Sequence, residues 1–307
     1  MHFTSITAGL VQLFGGLVAS MLIPGFIQSL KAKLQGRVGP GSLQPYRDLR
    51  RLWNKSTVSV SNSTLIYRIA PSVVATSMGL AVLVVPVSSL GPNWGVGHDA
   101  FVLGGVLALS RLALVLAAWD TRNGFSLMAA SRDLTISIFT ETAMLISLSV
   151  AALVAGSTDM QVMISRISLF HVWSSPAPSL ALAAFSLVVI AETGRQPVDN
   201  PDTHLELTMI HEGMTLEYAG RDLAMLQWSG GVKHWIMLVM LSEIFLPHFQ
   251  NAYLQLLCLP LTVIAICIIL AIVESTIVKM RLLNVPRFLG LGTILAFMGI
   301  LALKVPS

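Results

Sequence analysis

This sequence predicts an all-α integral membrane protein, with about eight transmembrane helices and a short amphipathic interfacial helix after the first span. Three observations carry that reading. Only 11% of the 307 residues are charged and 54% are hydrophobic, with a mean hydropathy of +0.76, whereas soluble domains carry about 25% charged residues. The apolar residues fall into runs long enough to cross a ~30 Å hydrocarbon core, which takes about 20 residues of helix. The Lys and Arg residues gather in alternate connections between those runs, as the positive-inside bias requires.

The runs lie near 6–30, 64–89, 99–119, 133–156, 177–193, 219–247, 252–278 and 286–304. The fifth is short and ends in the polar "AETGRQP". Nothing between the runs is long enough to fold as a soluble unit, so residues 1–307 form a single polytopic domain. The first run follows neither a basic n-region nor a small-residue cleavage site, and is expected to be retained as a span.

The first connection, 31–63, is basic. "KAKLQGRVGPGSLQPYRDLRRLWNK" holds seven of the nineteen Lys and Arg residues. Gly36, Gly39, Pro40 and Gly41 end the first helix and permit a tight turn. Beyond it, Leu43, Tyr46, Leu49 and Leu52 or Trp53 recur at helical spacing, with Arg47, Asp48, Arg50 and Arg51 mostly on the opposite side. That pattern predicts a short helix lying flat at the interface, by itself no more than a surface anchor. "GRVGPG" is not a phosphate loop, since no Gly-Lys-Ser/Thr follows.

The connections 1–2, 3–4, 5–6 and 7–8, with the helix ends beside them, hold fifteen of the nineteen Lys and Arg residues, from Lys31 to Arg287. Arg111 and Lys233 fall inside spans. The bias places both termini outside and the basic loops in the cytoplasm. The net charge of +4 then reflects topology and anionic lipid rather than nucleic acid. Cys258 and Cys267 both lie in one apolar run. They are too few for an iron–sulfur or structural zinc cage, so any redox metal belongs to another polypeptide.

An ionisable side chain at mid-bilayer costs roughly 2.5–3.5 kcal/mol on insertion scales and normally faces a partner or water. Arg111, Glu141, Glu192, Glu243 and Glu274 all fall in spans. Glu192 and Glu274 read equally well as interfacial residues snorkelling to water or as buried groups, and Glu243 reads as lying at the outer interface. Arg111 and Glu141 either pair in the bundle interior, or Glu141 lines a hydrated path. A carboxyl in an apolar site has a raised pKa and can load and release a proton. The densest polar stretch, residues 191–224, surrounds an acidic connection at 194–218. There Arg195 and Arg221 flank a set of carboxylates, which suggests a charged network and a docking surface. His204, Glu206, His211 and Glu212 lack the His-Glu-x-x-His spacing, and no metal site is expected.

Two stretches, "GRVGPGSLQPYRDL" and "AETGRQPVDNPDTHLEL…LEYAGRDLA", resemble the membrane protein shared by complex I (its subunit 1) and membrane-bound nickel–iron hydrogenases. The likeness spans nearly the whole chain. The first loop lacks the longer insert and second Gly-Pro of the complex I proteins. It looks like the compact hydrogenase form, as does "HEGMTLEYAGRDLA", which is similar to the hydrogenase-4 and formate hydrogenlyase branch. His204 stands where the complex I proteins often have an acid.

The resemblance implies a membrane-anchoring, proton-coupling subunit of an energy-converting hydrogenase or formate hydrogenlyase-like complex in a prokaryotic cytoplasmic (inner) membrane. Arg37, Arg47, Asp48, Arg50 and Arg51 would dock a soluble redox arm. Glu141, Glu192, Asp199, Asp202, Glu206, Glu212 and Glu217 would form the proton pathway, with Arg111, Arg195 and Arg221 tuning its charge. The nickel–iron centre and iron–sulfur clusters would sit on hydrogenase-type large and small subunits and on iron–sulfur subunits, beside antiporter-like membrane subunits, with no cofactor bound by this chain. One alternative is the quinone-binding membrane subunit of an NADH:quinone oxidoreductase, against which the short first loop argues. Another is a stand-alone ion transporter, against which the absence of paired repeats argues.

Overall fold

The computed structural model describes residues 2–58, 60, 63–88, 97–167, 175–199, 210–246 and 251–303. Among them it is helical without strands, apart from an isolated bridge between Asp99 and Asp159. The first span is a broken rod. Helix α1 (His2–Leu13) passes through a wide π turn at Phe14–Val18 and a tight 3-10 turn at Ala19–Met21 into α2 (Leu22–Leu34). The break falls on Gly15 and Gly16, the poorest helix formers short of proline. A Cβ at Gly16 would lie 2.5 Å from Val82 Cγ1, so the closeness of the next span requires glycine there. Breaking a helix in lipid leaves backbone carbonyls to be satisfied by other groups. Trp228 Nε1 donates to Leu17 O at 2.9 Å, and the Tyr46 hydroxyl donates to Val18 O.

Helix α3 (Gln44–Trp53) is the predicted amphipathic helix. Tyr46, Leu49 and Leu52 are half-buried, while Arg47, Arg50 and Arg51 are exposed. The preceding helix runs on to Leu34, so Lys31, expected in a basic loop, lies in α2 and is only 5% exposed. Helices α4 (Leu65–Val84) and α5 (Ala100–Asp120) pack together and are tied at one end. There Asp120 Oδ2 accepts from Thr64 N at 2.6 Å and from Thr64 Oγ1 at 2.9 Å.

Helix α6 (Gly124–Ala155) is capped by the Asn123 side chain and stops at Gly156, whose φ of 69° is the left-handed C-cap that glycine favours. The short α7 (Met160–Ile167) was not expected. Helix α8 (Pro176–Glu192) opens on proline, whose missing N–H costs nothing at a first turn. Then come α9 (Gly220–Phe245), α10 (Ala252–Thr276) and α11 (Val285–Ala302).

Helices therefore stand at all eight predicted runs, but the count of eight spans is not established. Among the described residues, six spans are long and apolar enough to cross a bilayer by themselves, namely Ile6–Leu34, Leu65–Val84, Ala100–Asp120, Gly124–Ala155, Tyr253–Thr276 and Leu282–Ala302. Helix α8 is a shorter apolar helix of 17 residues. Helix α9 is the axis of the bundle. Gly231, Val232 and every residue from His234 to Phe245 are buried, and it packs on α2, α3, α4, α8 and α10. Protein rather than lipid surrounds that half, which is why α9 tolerates polar residues that a lipid-facing helix would not. Leu109, Leu112, Ile138, Leu257, Leu261 and Leu291 are exposed on the outer surface, as a lipid-facing belt should be.

Candidate functional site, a chain of buried ion pairs

Arg111 stands nine residues short of Asp120, the last residue of α5, which puts it roughly 13 Å inside that end of the bundle. Its side chain is 11% exposed, and a cation at that depth needs partners. It has three. Nη1 donates to Glu141 Oε1, Nη2 donates to Glu192 with 2.6 Å to Oε1, and Nε lies 3.4 Å from Asp133 Oδ2. Asp133 and Glu141 share a face of α6 because they are eight residues apart. Glu192 is the last residue of α8. It also accepts from Thr140 Oγ1 at 2.6 Å and meets Lys233 Nζ of α9 at 2.5 Å. Three carboxylates thus share two cations.

From Asp133 the chain continues outward. His211 Nε2 lies 3.5 Å from Asp133 Oδ1, His211 Nδ1 lies 3.6 Å from Asp199 Oδ2, and Lys279 Nζ donates to Asp199 Oδ1 at 2.8 Å. Burial pushes the Asp199 carboxyl up, but the His211 ring and the Lys279 ammonium outweigh it. Together they hold the group well below the usual carboxylate range, so it is ionised at neutral pH.

A second cluster lies beside the first. Glu274 of α10 meets Arg195 Nη1 at 3.1 Å and Lys31 Nζ at 3.4 Å, and Arg195 Nη2 is 3.5 Å from His234 Nδ1. Lys233 and His234 are consecutive on α9, so one turn of the central helix serves both clusters.

Of the residues singled out by sequence, the fold brings Arg111, Glu141, Glu192 and Asp199 into one chain and sets Arg195 in the adjoining cluster. The choice between pairing and a hydrated path for Arg111 and Glu141 resolves to a pair, with the Glu141 side chain 35% exposed. Glu192 and Glu274 are buried, at 6% and 3% exposure. Glu243, expected to reach water, is buried and held by Gln255 Nε2.

Other residues lie apart. Glu217 accepts from Asn123 Nδ2, and its carbonyl accepts from the Tyr67 hydroxyl at 2.7 Å. Glu212 is exposed. Arg221 is exposed and donates to Trp53 O at 3.4 Å, tying α9 to α3. Arg37, Arg47, Arg50 and Arg51 are exposed, and Arg51 pairs with Asp48 at 3.1 Å. Asp202 and Glu206, with His204, lie outside the described residues.

Sequence reasoning assigned no site role to Asp133, His211, Lys233, His234, Lys279 or Lys31. A lysine in a span was a usable signal for Lys233. The others needed the fold.

Residues 7–303 match the NADH dehydrogenase family. The chain is 32% identical to hydrogenase-4 component C of Escherichia coli (strain K12), covering 91% of this chain and 90% of that protein. It is 28% identical to formate hydrogenlyase subunit 4 of the same organism, covering 97% and 99% respectively. Among solved structures, one chain of the membrane-bound sulfane sulfur reductase, an archaeal respiratory membrane complex, superposes with a TM-score of 0.81 at 21% identity, covering 97% of this chain and 99% of that one. That likeness shows a shared fold.

Proposed function

The chain belongs to the NADH dehydrogenase family, and from that premise we propose that it is the membrane-anchoring and proton-coupling subunit of an energy-converting, hydrogenase-type complex. The hydrogenase-4 and formate hydrogenlyase relatives, matched end to end, support that setting. The observation that carries the coupling role is the guanidinium of Arg111 holding Glu141, Glu192 and Asp133 inside the bundle. Buried ion pairs contribute little net stability against apolar side chains of the same volume. A protein that keeps several of them in a membrane is keeping them for work, and buried carboxylates that exchange partners are a means of moving protons.

In this reading the exposed basic face around Arg37, Arg47, Arg50 and Arg51, with Asp48, seats the soluble redox arm. The partners are hydrogenase-type large and small subunits and iron–sulfur subunits, which hold the nickel–iron centre and the clusters, together with antiporter-like membrane subunits. Redox work in the arm shifts the acidic loop. The loop displaces charge along Asp199, Asp133, Glu192 and Glu141 toward the neighbouring subunits, with Asp202, Glu206, Glu212 and Glu217 as loop-side members of the pathway. Arg111 and Arg195 set the charge balance of the buried acids. Fifteen of nineteen Lys and Arg residues at one end of the bundle support an orientation in the prokaryotic cytoplasmic membrane with both termini outside.

The test uses the whole complex in proteoliposomes, measuring protons moved per electron transferred with a viologen dye as redox partner. Glu141→Gln and Glu192→Gln are each expected to lower that ratio at least tenfold. Unchanged ratios in both would overturn the coupling role. Inhibition by quinone-site ligands would move the chain to the quinone-reducing branch of the family.

A further inference from the structure

Among the described residues, one imidazole lies between two of the carboxylates at the edge of the buried ion-pair chain. His211 turns one ring nitrogen to each side, Nε2 toward Asp133 of α6 at 3.5 Å and Nδ1 toward Asp199 of the turn after α8 at 3.6 Å. Both separations exceed a hydrogen bond by about half an ångström. Among the described residues, Nδ1 has no hydrogen-bond partner although it is buried. The ring is thus within a small movement of either carboxylate and committed to neither.

Its bed is specific. Gly194 has a φ of +62°, a conformation that favours glycine, and a Cβ there would lie a tight 3.2 Å from Nδ1. The His211 side chain is 29% exposed while that of Asp133 is 3% exposed, so the imidazole meets water and the carboxyl behind it does not. Among the described residues, the charged groups facing the ring are Asp133 and Asp199. Arg111 stands behind the first and Lys279 behind the second, and the adjacent Glu212 is exposed.

We propose that His211 carries protons from the water-facing loop to the carboxylates gathered on Arg111, a role that rests on the coupling function above. A proton passed from water through the Asp199 carboxyl, whose side chain is 9% exposed, binds the buried Nδ1. The proton on Nε2 then passes to Asp133 Oδ1, leaving a neutral ring in the other tautomer and a neutral carboxylic acid. Histidine suits the step because its two nitrogens accept and release in turn and its ordinary titration falls near neutrality. Asp133 can receive because Arg111 holds two further carboxylates. Asp133 Oδ2 has only the 3.4 Å contact to Nε and no hydrogen bond.

The experiment compares wild type, His211→Gln, His211→Ala and Glu192→Gln complexes in proteoliposomes. It reads protons moved per electron across pH, with and without added imidazole. The expected result is at least a tenfold fall in the ratio for His211→Gln, a flattened pH profile, and recovery of His211→Ala by imidazole. A normal ratio in His211→Gln with a lost one in Glu192→Gln overturns the role of His211 and leaves the coupling function standing. Normal ratios in both overturn the coupling function itself. A fall with an unchanged pH profile and no imidazole rescue makes His211 structural and overturns the proposal. Where neither His211 variant assembles, ¹⁵N shifts of His211 in the wild-type complex decide. Exchange between neutral and charged rings as pH is varied supports the role, and one fixed state overturns it.

Discussion

Lys233, midway along α9, and Glu192, at the last turn of α8, meet at 2.5 Å. Lys233 is the only cation besides Arg111 that touches Glu192 among the described residues, and it stands next to His234 of the second cluster. Replacing it by methionine leaves Glu192 to Arg111 and Thr140, with one cation to balance the three carboxylates. Lys233→Met is expected to cost about 3–5 kcal/mol, the usual penalty for breaking one side of a buried pair. Pairing it with Glu192→Met should recover much of the loss, since the excess negative charge is then gone. Thermal unfolding of the detergent-extracted complex measures both.

Glycines in the first two spans separate close approach from open space. A Cβ at Gly25 would lie 2.2 Å from the Ser42 carbonyl oxygen, whereas one at Gly79 meets nothing within 4 Å. Gly25→Ala must push the Gly41–Leu43 backbone outward and should destabilise by about 1–3 kcal/mol. It should also raise protease cleavage between Gln35 and Gln44. Gly79→Ala should be neutral or gain up to about 1 kcal/mol, because glycine mid-helix is costly. Equal effects from the two would contradict the packing.

Tyr67 and Tyr218 stack with ring centroids 4.3 Å apart and planes within 5°. Their hydroxyls cross over, Tyr67 donating to Glu217 O at 2.7 Å and Tyr218 to Tyr67 O at 2.9 Å. This clasp fixes the end of the acidic loop to α4. Tyr67→Phe and Tyr218→Phe each leave a backbone carbonyl unpaired, at about 1–3 kcal/mol. The double variant should fall short of the sum because the two act as one unit. A double-mutant cycle on unfolding temperature reads the coupling.

The depressed Asp199 carboxyl fixes the sign of a pH effect. Because its folded value lies below the ordinary one of about 3.9, its stabilisation is complete above that range. It is lost only as pH falls toward the folded value. Asp199→Asn should therefore destabilise by about 3 kcal/mol, with the deficit against wild type persisting from pH 8 to pH 5 and shrinking only below roughly pH 4. A deficit that vanished by pH 6 would contradict the ion pair with Lys279.

Much of this was legible in the sequence for identifiable reasons. The apolar runs marked every long helix, and the spacing of Tyr46, Leu49 and Leu52 marked α3. Arg111 and Glu141 announced themselves as charges that lipid would not accept, and their pairing is what the fold supplies. Lys31 did not, because one lysine among seven basic residues looks like the rest. Its burial depends on Glu274, which belongs to a distant helix. The break at Gly15–Gly16 was invisible inside an unbroken apolar run, since it is set by the approach of Val82 and Trp235. Glu243 read as interfacial because position along a helix says nothing about which side of it is covered by protein.

The hydroxyl of Tyr46, reaching from the surface helix to Val18 O in the break of the first span, makes that helix more than a float. If α3 lifts or slides, a backbone carbonyl on the exposed side of the broken first span loses its donor. A load placed on the Arg47 face is thereby delivered to the backbone of the first span. Lys31, which meets Glu274 of α10, lies a few turns further along the same rod, so α3 works as the short arm of a lever whose fulcrum is a pair of glycines.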